Sequence, residues 1–157
     1  MEISFKTKIQ EDTKSALKVK DELRLLVLRM LSAALHNKEI EKRTKSGETE
    51  LSEEEALAVL RTEVKKRRDA IEGFTQGGRR DLVEKETKEL AILEIYLPAE
   101  ISEQEIKKTV QAVLNDLGQV TEKDLGRVMG EAMKRLKGQA SGDRVRKVAA
   151  EELKYVQ

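Results

Sequence analysis

Several residue types are missing or rare in this chain, and each absence excludes a class of function. The 157 residues include no cysteine and no tryptophan, and only 3% are aromatic. Without cysteine there is no disulfide, no thiolate metal site and no cysteine nucleophile. The scarcity of aromatic rings argues against a stacking surface for single-stranded nucleic acid. Any function must therefore rest on charged, polar and aliphatic side chains.

Long hydrophobic runs are also missing. No apolar run approaches the roughly 20 residues that a membrane-spanning helix needs. Residues 1–20 carry a charge every few positions and contain no apolar segment, which is unlike a signal peptide. We therefore expect a soluble cytoplasmic protein that does not act at a membrane.

Charge of either sign is abundant, but neither sign dominates. Charged residues make up 39% of the chain, with 31 Lys and Arg against 30 Asp and Glu. An even overall balance is compatible with a strongly basic surface in one place. Charge is therefore informative only when it is followed segment by segment.

The pattern of apolar residues predicts an all-α fold. The chain has one proline and no stretch of alternating β-branched residues. Ser52 with Glu55, and Ser102 with Glu105, have the spacing of helix-starting capping boxes. The residue before Pro98 is disfavoured in a helix, so a helix should end there. Helices are predicted at about residues 4–19, 21–43, 52–76, 81–97, 102–118, 122–137 and 141–155.

The predicted helices fall into two domains. We expect an N-terminal four-helix domain over residues 1–98 and a small C-terminal three-helix domain over residues 99–157. The second helix is the most apolar and should be the central core helix, because its apolar residues recur at helical spacing. Its predicted core residues are Leu23, Leu26, Val27, Met30, Leu31, Ala34 and Leu35, and those of the first helix are Ile9, Ala16 and Leu17.

No motif indicates a catalytic, metal or cofactor site. His36 is the single histidine, and the sequence supplies neither a nucleophile nor further ligands to work with it. The acidic run Glu53–Glu55 is explained by its place at a helix start, where it complements the helix dipole. Gly77-Gly78-Arg79-Arg80 lacks the spacing of a phosphate-binding loop. We predict no catalytic residue, no metal and no cofactor.

The sixth predicted helix separates charge from apolar residues more clearly than the others. At about 100° per residue its aliphatic residues share one face. The opposite face collects Lys123, Arg127, Lys134 and Lys137, together with Gly126 and Gly130. Each interior glycine costs a helix about 1 kcal/mol relative to alanine. Glycines on this face suggest close approach of either another helix or a phosphate backbone.

Positive charge continues into the start of the seventh helix. Arg144, Arg146 and Lys147 lie within the first two turns from its start, where free backbone amides also favour anions. Residues 123–147 hold eight basic and three acidic residues, a net charge of +5, so the rest of the chain carries −4. The basic run at residues 65–68 is a weaker candidate, because consecutive helical residues point in different directions.

Three stretches resemble the GatB/YqeY family. They are Arg24 to Arg43 (RLLVLRMLSAALHNKEIEKR), Lys66 to Ile106 (KRRDAIEGFTQGGRRDLVEKETKELAILEIYLPAEISEQEI) and Leu125 to Val145 (LGRVMGEAMKRLKGQASGDRV). Together they follow the family order over nearly the whole chain. The likeness is greatest to stand-alone bacterial YqeY-like proteins. These in turn resemble the C-terminal segments of the GatB subunit of the glutamine-dependent amidotransferase that acts on misacylated tRNA.

The resemblance implies a two-part all-α protein that binds tRNA and performs no chemistry of its own. In the amidotransferase the corresponding tail holds tRNA, while glutamine hydrolysis and ATP-dependent activation belong to other parts. Many relatives have proline at the position of Lys134, so the sixth helix is expected to be straighter here. The tRNA-facing residues that the resemblance implies are Lys123, Arg127, Gly130, Lys134, Lys137, Gly138, Arg144 and Lys147.

Two other hypotheses stay open at this point. The chain could be a protein-interaction module that docks on amidotransferase subunits or an aminoacyl-tRNA synthetase, with Gly126 and Gly130 as packing sites. It could also take part in carbon–nitrogen ligation with glutamine as amide donor, the activity by which the family tends to be labelled. The chain lacks a cysteine nucleophile, an amidase-type serine-rich signature and an ATP-binding loop, so we do not expect this activity from the chain alone.

Overall fold

The structure, a computed structural model, describes residues 3–156, and the regular secondary structure in that range is helical. No strand occurs in that range, which confirms the all-α prediction. The helices are α1 (Phe5–Lys18), α2 (Glu22–Ser46), α3 (Glu53–Gln76), α4 (Arg80–Glu94), α5 (Glu103–Leu117), α6 (Leu125–Leu136) and α7 (Gly142–Tyr155), and a 3₁₀ turn at Glu122–Asp124 precedes α6.

Short-range hydrogen bonds set the helix starts. Both predicted capping boxes form. The side chains of Ser52 and Ser102 accept hydrogen bonds from the backbone amides of Glu55 and Glu105. The carboxylates of these glutamates accept hydrogen bonds from the backbone amides of the two serines. Asp21 caps α2 with a single hydrogen bond, its carboxylate accepting from Arg24 N. Thr121 forms its capping box around the 3₁₀ turn, so α6 begins at Leu125, three residues later than predicted.

The chain divides into two compact units between Leu97 and Pro98. The first contains α1 to α4, in which α3 and α4 pack as an antiparallel pair and α2 contacts each of the other three helices. Its core is aliphatic apart from Phe5 and Tyr96, whose rings meet edge to face with centroids 6.3 Å apart. The largest fully buried side chains of this unit are Ile9, Leu28, Leu31, Leu60 and Val27.

Polar contacts also hold the first unit together. Arg67 of α3 is 9% exposed and forms ion pairs with Glu86, at 3.0 Å, and with Glu89, which is 3% exposed. The Tyr96 hydroxyl, just after α4, donates to Asp12 of α1 at 2.5 Å. These contacts join helices whose apolar faces are already packed.

Three residues predicted for the core are exposed. Leu26 and Met30 of α2 are 48% and 44% exposed, and Leu17 of α1 is 56% exposed. The spacing argument was wrong for α2 because this helix has apolar residues on two faces. Only the face with Val27, Leu28, Leu31 and Leu35 is buried.

The second unit contains the 3₁₀ turn and three helices, each of which packs on the other two. A single aliphatic core fills the space between them. Its fully buried members include Ile106, Val110 and Val113 from α5, Val128 and Ala132 from α6, and Val145, Ala149 and Leu153 from α7.

Candidate nucleic-acid interface

Helix α6 presents two faces of opposite character. Val128, Ala132 and Leu136 point into the core of the second unit. At about 100° per residue, Gly126, Gly130 and Lys134 follow one another at four-residue intervals on the far side, and Arg127 lies next to them. All four are exposed. The structure therefore brings two glycines and two cations together on one open surface.

The two glycines leave the backbone of α6 uncovered. A Cβ atom built on Gly126 or Gly130 would meet nothing within 4 Å. The hypothesis that they allow close packing of helices inside this unit does not fit that open space. An approaching molecule would instead meet the helix backbone directly between the basic side chains.

Several basic residues of this region are free to bind an anion. Lys123 in the 3₁₀ turn, Arg127, Lys137 and Lys147 are exposed, and none forms an ion pair with another residue in the described range 3–156. Lys134 contacts Glu131 at 3.2 Å, with both side chains largely exposed. Pairs of that kind contribute little stability and exchange readily with an outside partner.

The end of α6 turns sharply at Lys137 and Gly138. Both residues have left-handed backbone conformations, with φ of 46° and 77°. Gly138 was predicted to face tRNA, but the structure places it in a buried position. Its role there is to end the helix, because glycine adopts a positive φ without steric cost. Lys137 beside it remains exposed.

Arg144 is partly committed to the second unit itself. Its guanidinium donates to the Ile101 carbonyl at 2.9 Å and lies 3.4 Å from the Glu100 carboxylate. Its side chain is only 29% exposed. Arg144 therefore fastens the start of α7 to the segment before α5, and it is a weaker candidate for nucleic-acid contact than the free cations.

Arg146 is the residue that the predicted set of contacts omits. It is exposed, and it has no ion pair among residues 3–156. The local charge count already included it, but the family resemblance did not select it. With Arg146 in place of Gly138, the candidate surface consists of exposed groups plus the partly tethered Arg144.

The second unit is electrically polarised. Residues 98–157 carry eleven basic and ten acidic residues, a net charge of +1. Residues 123–147 hold +5 of this, so the remainder of the unit holds −4. Two of these cations, Arg135 and Arg144, pair with Asp116 and Glu100 of the remainder, and the others leave positive charge in this segment that attracts a polyanion.

The other candidate sites gain no support from their surroundings. His36 has a 70% exposed side chain and lies 3.7 Å from the Glu39 carboxylate. Glu53, from the acidic run at the start of α3, accepts a hydrogen bond from the Phe5 amide at 3.2 Å. No group of three potential metal ligands occurs among the described residues.

The chain as a whole matches one known protein family. A family profile described as YqeY-like protein matches residues 6–153. This chain is a member of the YqeY-like family. The match to the family extends across both compact units.

The curated relatives that match come from fungi. A Kluyveromyces lactis protein named "Altered inheritance of mitochondria protein 41, mitochondrial" is 36% identical over 112 residues, which is 69% of this chain and 58% of that protein. The protein of the same name from Lachancea thermotolerans is 36% identical over 71% of this chain and 58% of its own length. The one from Pyrenophora tritici-repentis is 29% identical over 85% and 71%.

These relatives differ from the expected bacterial source and, by their names, from the expected cytoplasmic compartment. The predicted likeness was to bacterial proteins, whereas these matches are fungal proteins with a mitochondrial name. The chain spans 58% of the first two relatives, so their complete proteins are longer than the matched part. Within residues 3–156 no helix has both the length and the apolarity to cross a bilayer. The relation to the GatB subunit stays a prediction.

Proposed function

We propose that this protein is a non-catalytic RNA-binding module whose ligand is tRNA. The binding surface is the exposed face of α6 with the start of α7. It comprises Lys123, Arg127, Gly130, Lys134, Lys137, Arg146 and Lys147, with Arg144 at its edge. The observation that carries the proposal is the uncovered helix backbone at Gly126 and Gly130 between free basic side chains.

The composition favours a folded RNA over a single strand. Single strands are held by stacking of their bases on aromatic rings, and this chain has few such rings. Folded RNA is recognised mainly by its shape, its phosphates and its 2′-hydroxyl groups. Glycines between lysine and arginine allow a phosphate–sugar backbone to come close to the helix while its charges are neutralised.

The absence of a catalytic constellation supports an accessory role. Resemblance to the tail of an amidotransferase subunit favours tRNA as the RNA and amidotransferase subunits or a synthetase as further partners. On this proposal, the carbon–nitrogen ligase activity by which the family tends to be labelled belongs to the complete amidotransferase and not to the tail alone. Purified protein given glutamine, ATP and tRNA should show no sustained glutamine hydrolysis, and turnover without other subunits would contradict this assignment.

The compartment follows from the ligand. The sequence favours the cytoplasm, and the names of the fungal relatives place those proteins in mitochondria. Both compartments carry out translation and contain tRNA. We therefore propose that the protein works wherever its host translates.

A tRNA titration with a charge-reversed variant tests the proposal. Arg127 and Lys134 lie three residues before and four residues after Gly130, on the same exposed face. We expect Arg127→Glu with Lys134→Glu to weaken tRNA binding roughly tenfold or more and to lower the salt slope by about 2. Fluorescence anisotropy at two salt concentrations measures both quantities. The helical content by circular dichroism should not change.

The matched control reverses two charges in the first unit. Lys65→Glu with Lys66→Glu changes the net charge equally and alters the other basic run of the chain. Both lysines are exposed and form only surface ion pairs with Asp69 and Glu63. Equal loss of binding in both variants, or binding that does not respond to salt, would refute the α6 surface as the site.

A further inference from the structure

Helix α2 has a second apolar face that stays partly exposed, and on it Met30 Sδ accepts a hydrogen bond from Arg67 Nη2 at 3.7 Å. Its buried face contains Val27, Leu28, Leu31 and Leu35. On the opposite side of the helix, Leu26, Met30 and Ile40 are 48%, 44% and 40% exposed. An isolated exposed leucine is ordinary, whereas a row of apolar residues along one helix face indicates a contact surface.

The spacing of this row is that of a coiled coil. Leu26, Met30, Ala33, Asn37 and Ile40 are separated by alternating steps of four and three residues, and all five are exposed. A four–three repeat keeps one seam of the helix facing a partner helix. We call these five residues the α2 seam.

A groove beside the seam leaves space for the side chains of a partner helix. It lies between α2 and α3, has a volume of about 450 Å³ and includes Asn37 of the seam in its wall. Its rim is already neutralised within the chain. Hydrogen bonds from Lys45 and then Lys38 lower the pKa of Glu41 to about 2, and Lys66 pairs with Glu63 at 2.9 Å. A partner helix therefore does not need a large net charge to bind beside this groove.

We propose that the α2 seam binds the same seam of a second copy of this chain, with the two helices antiparallel. In coiled-coil positions, Met30 of one copy then packs against Ala33 of the other, and Leu26 packs against Asn37. A large residue meets a small one at the centre, on both sides of the two-fold axis. This self-complementarity is what a symmetric dimer requires of one surface.

Charges at the two ends of α2 favour this arrangement. Antiparallel pairing about the Met30–Ala33 contact places Glu22 near the start of one helix beside Arg43 near the end of the other, twice per dimer. Neither residue has an ion pair among residues 3–156. A shift of one heptad would instead bring Arg29 against Arg43. A parallel pair would leave Glu22 and Arg43 far apart.

The size of the seam sets the expected affinity. From Leu26 to Ile40 the helix rises about 21 Å. A single pair of helices of this length lies at the lower end of specific interfaces, so the dimer should be weak and dependent on concentration. The proposal is independent of RNA binding, because it concerns the first unit only.

Sedimentation equilibrium over a wide concentration range tests whether the dimer exists. We expect a reversible monomer–dimer equilibrium for the full chain. Ala33→Glu should abolish it, because it places a charge at the centre of the seam. Ala91→Glu makes the same change at an exposed position of α4 and should leave the equilibrium as it was. A chain that is monomeric throughout, or equal effects of both variants, would overturn the proposal.

Disulfide formation tests the orientation, since the natural chain has no cysteine to interfere. Positions 22 and 43 lie about 32 Å apart on one helix. A mixture of Glu22→Cys and Arg43→Cys chains should therefore give mainly the mixed disulfide if the helices are antiparallel. Preference for disulfides between identical chains would indicate a parallel pair and overturn the arrangement.

Exchange of the paired charges tests the contact between the helix ends. Glu22→Arg should weaken the dimer about threefold or more, and adding Arg43→Glu should restore it.

Discussion

At the scale of single residues, Gly126 and Gly130 connect stability with the proposed binding. Glycine inside a helix costs about 1 kcal/mol relative to alanine, and neither glycine has a neighbour that a methyl group would touch. The fold would therefore be more stable with alanine at both positions. A binding function supplies a reason for their presence that packing within the described residues does not.

Substitution of Gly130 should separate the two properties. Gly130→Ala should raise the free energy of unfolding by about 0.5–1 kcal/mol, and Gly130→Gln by about half as much, because both residues favour a helix more than glycine does. The larger glutamine side chain should nevertheless weaken tRNA binding severalfold by keeping the RNA backbone at a distance. Thermal melting and the anisotropy titration measure the two effects.

Gly73 provides the control for that prediction. It also lies within a helix, α3, is exposed and has no neighbour within 4 Å of a built Cβ. Gly73→Gln should raise stability to a similar or smaller extent and leave tRNA binding unchanged. If Gly130→Gln unfolds the second unit, or binds tRNA as well as the natural chain, the glycine face is not the contact surface.

The sequence predicted the candidate site only where helical periodicity decides which side chains are exposed. The opposition of apolar and basic residues on α6 follows from 3.6 residues per turn, so the exposed positions of Arg127 and Lys134 were predictable. The partners of Arg144 were not, because the Ile101 carbonyl is 43 residues away in sequence. The burial of Gly138 was also unpredictable, because it depends on how the chain packs after α6.

At the scale of helices, local signals predicted starts better than they predicted faces. Capping boxes need only residues three positions apart, so Ser52 and Ser102 identified α3 and α5 correctly. The apolar pattern of α2 could not show which of its faces is buried, because both contain apolar residues at helical spacing. Only packing against three other helices decides that, and it leaves Leu26 and Met30 outside.

The pairing of α3 with α4 gives a prediction at this scale. Arg67 and Arg68 are neighbours on α3, and each pairs with a carboxylate of α4. Arg67→Met leaves Glu89 buried without its cation, so we expect a loss of about 3–5 kcal/mol in the free energy of unfolding. Arg68→Met removes an exposed pair with Glu94 and should cost less than about 1 kcal/mol.

Urea denaturation followed by circular dichroism measures both losses. Adding Glu89→Gln to Arg67→Met removes the uncompensated charge and should recover part of the stability. Similar small effects of the two arginine substitutions would show that the Arg67 pair is not desolvated as its 9% exposure indicates.

At the scale of the whole molecule, the two compact units have separate cores. One core contains Leu28 and Leu60, the other Ile106 and Val128, and each is enclosed by helices of its own unit. A unit with its own core can unfold as an independent cooperative block. Whether residues 1–98 and 99–157 behave as separate domains is therefore a question of cooperativity.

Two destabilising substitutions in the intact 157-residue chain answer that question. Arg67→Met should lower the melting temperature of the first unit only. Ile106→Ala, which removes a fully buried side chain of the second core, should cost about 2–5 kcal/mol in that unit only. Differential scanning calorimetry should then show two transitions that move separately. A single transition lowered by both substitutions would show that the chain unfolds as one block.

The same pair of variants connects this organisation with function. If the tRNA surface belongs to α6 and the start of α7, Arg67→Met should retain full tRNA affinity even where urea has begun to unfold the first unit. Ile106→Ala should lose binding in parallel with the unfolding of the second unit. If Arg67→Met lost binding and Ile106→Ala retained it, the RNA contact would belong to the first unit. The basic run at residues 65–68 would then be the surface to test.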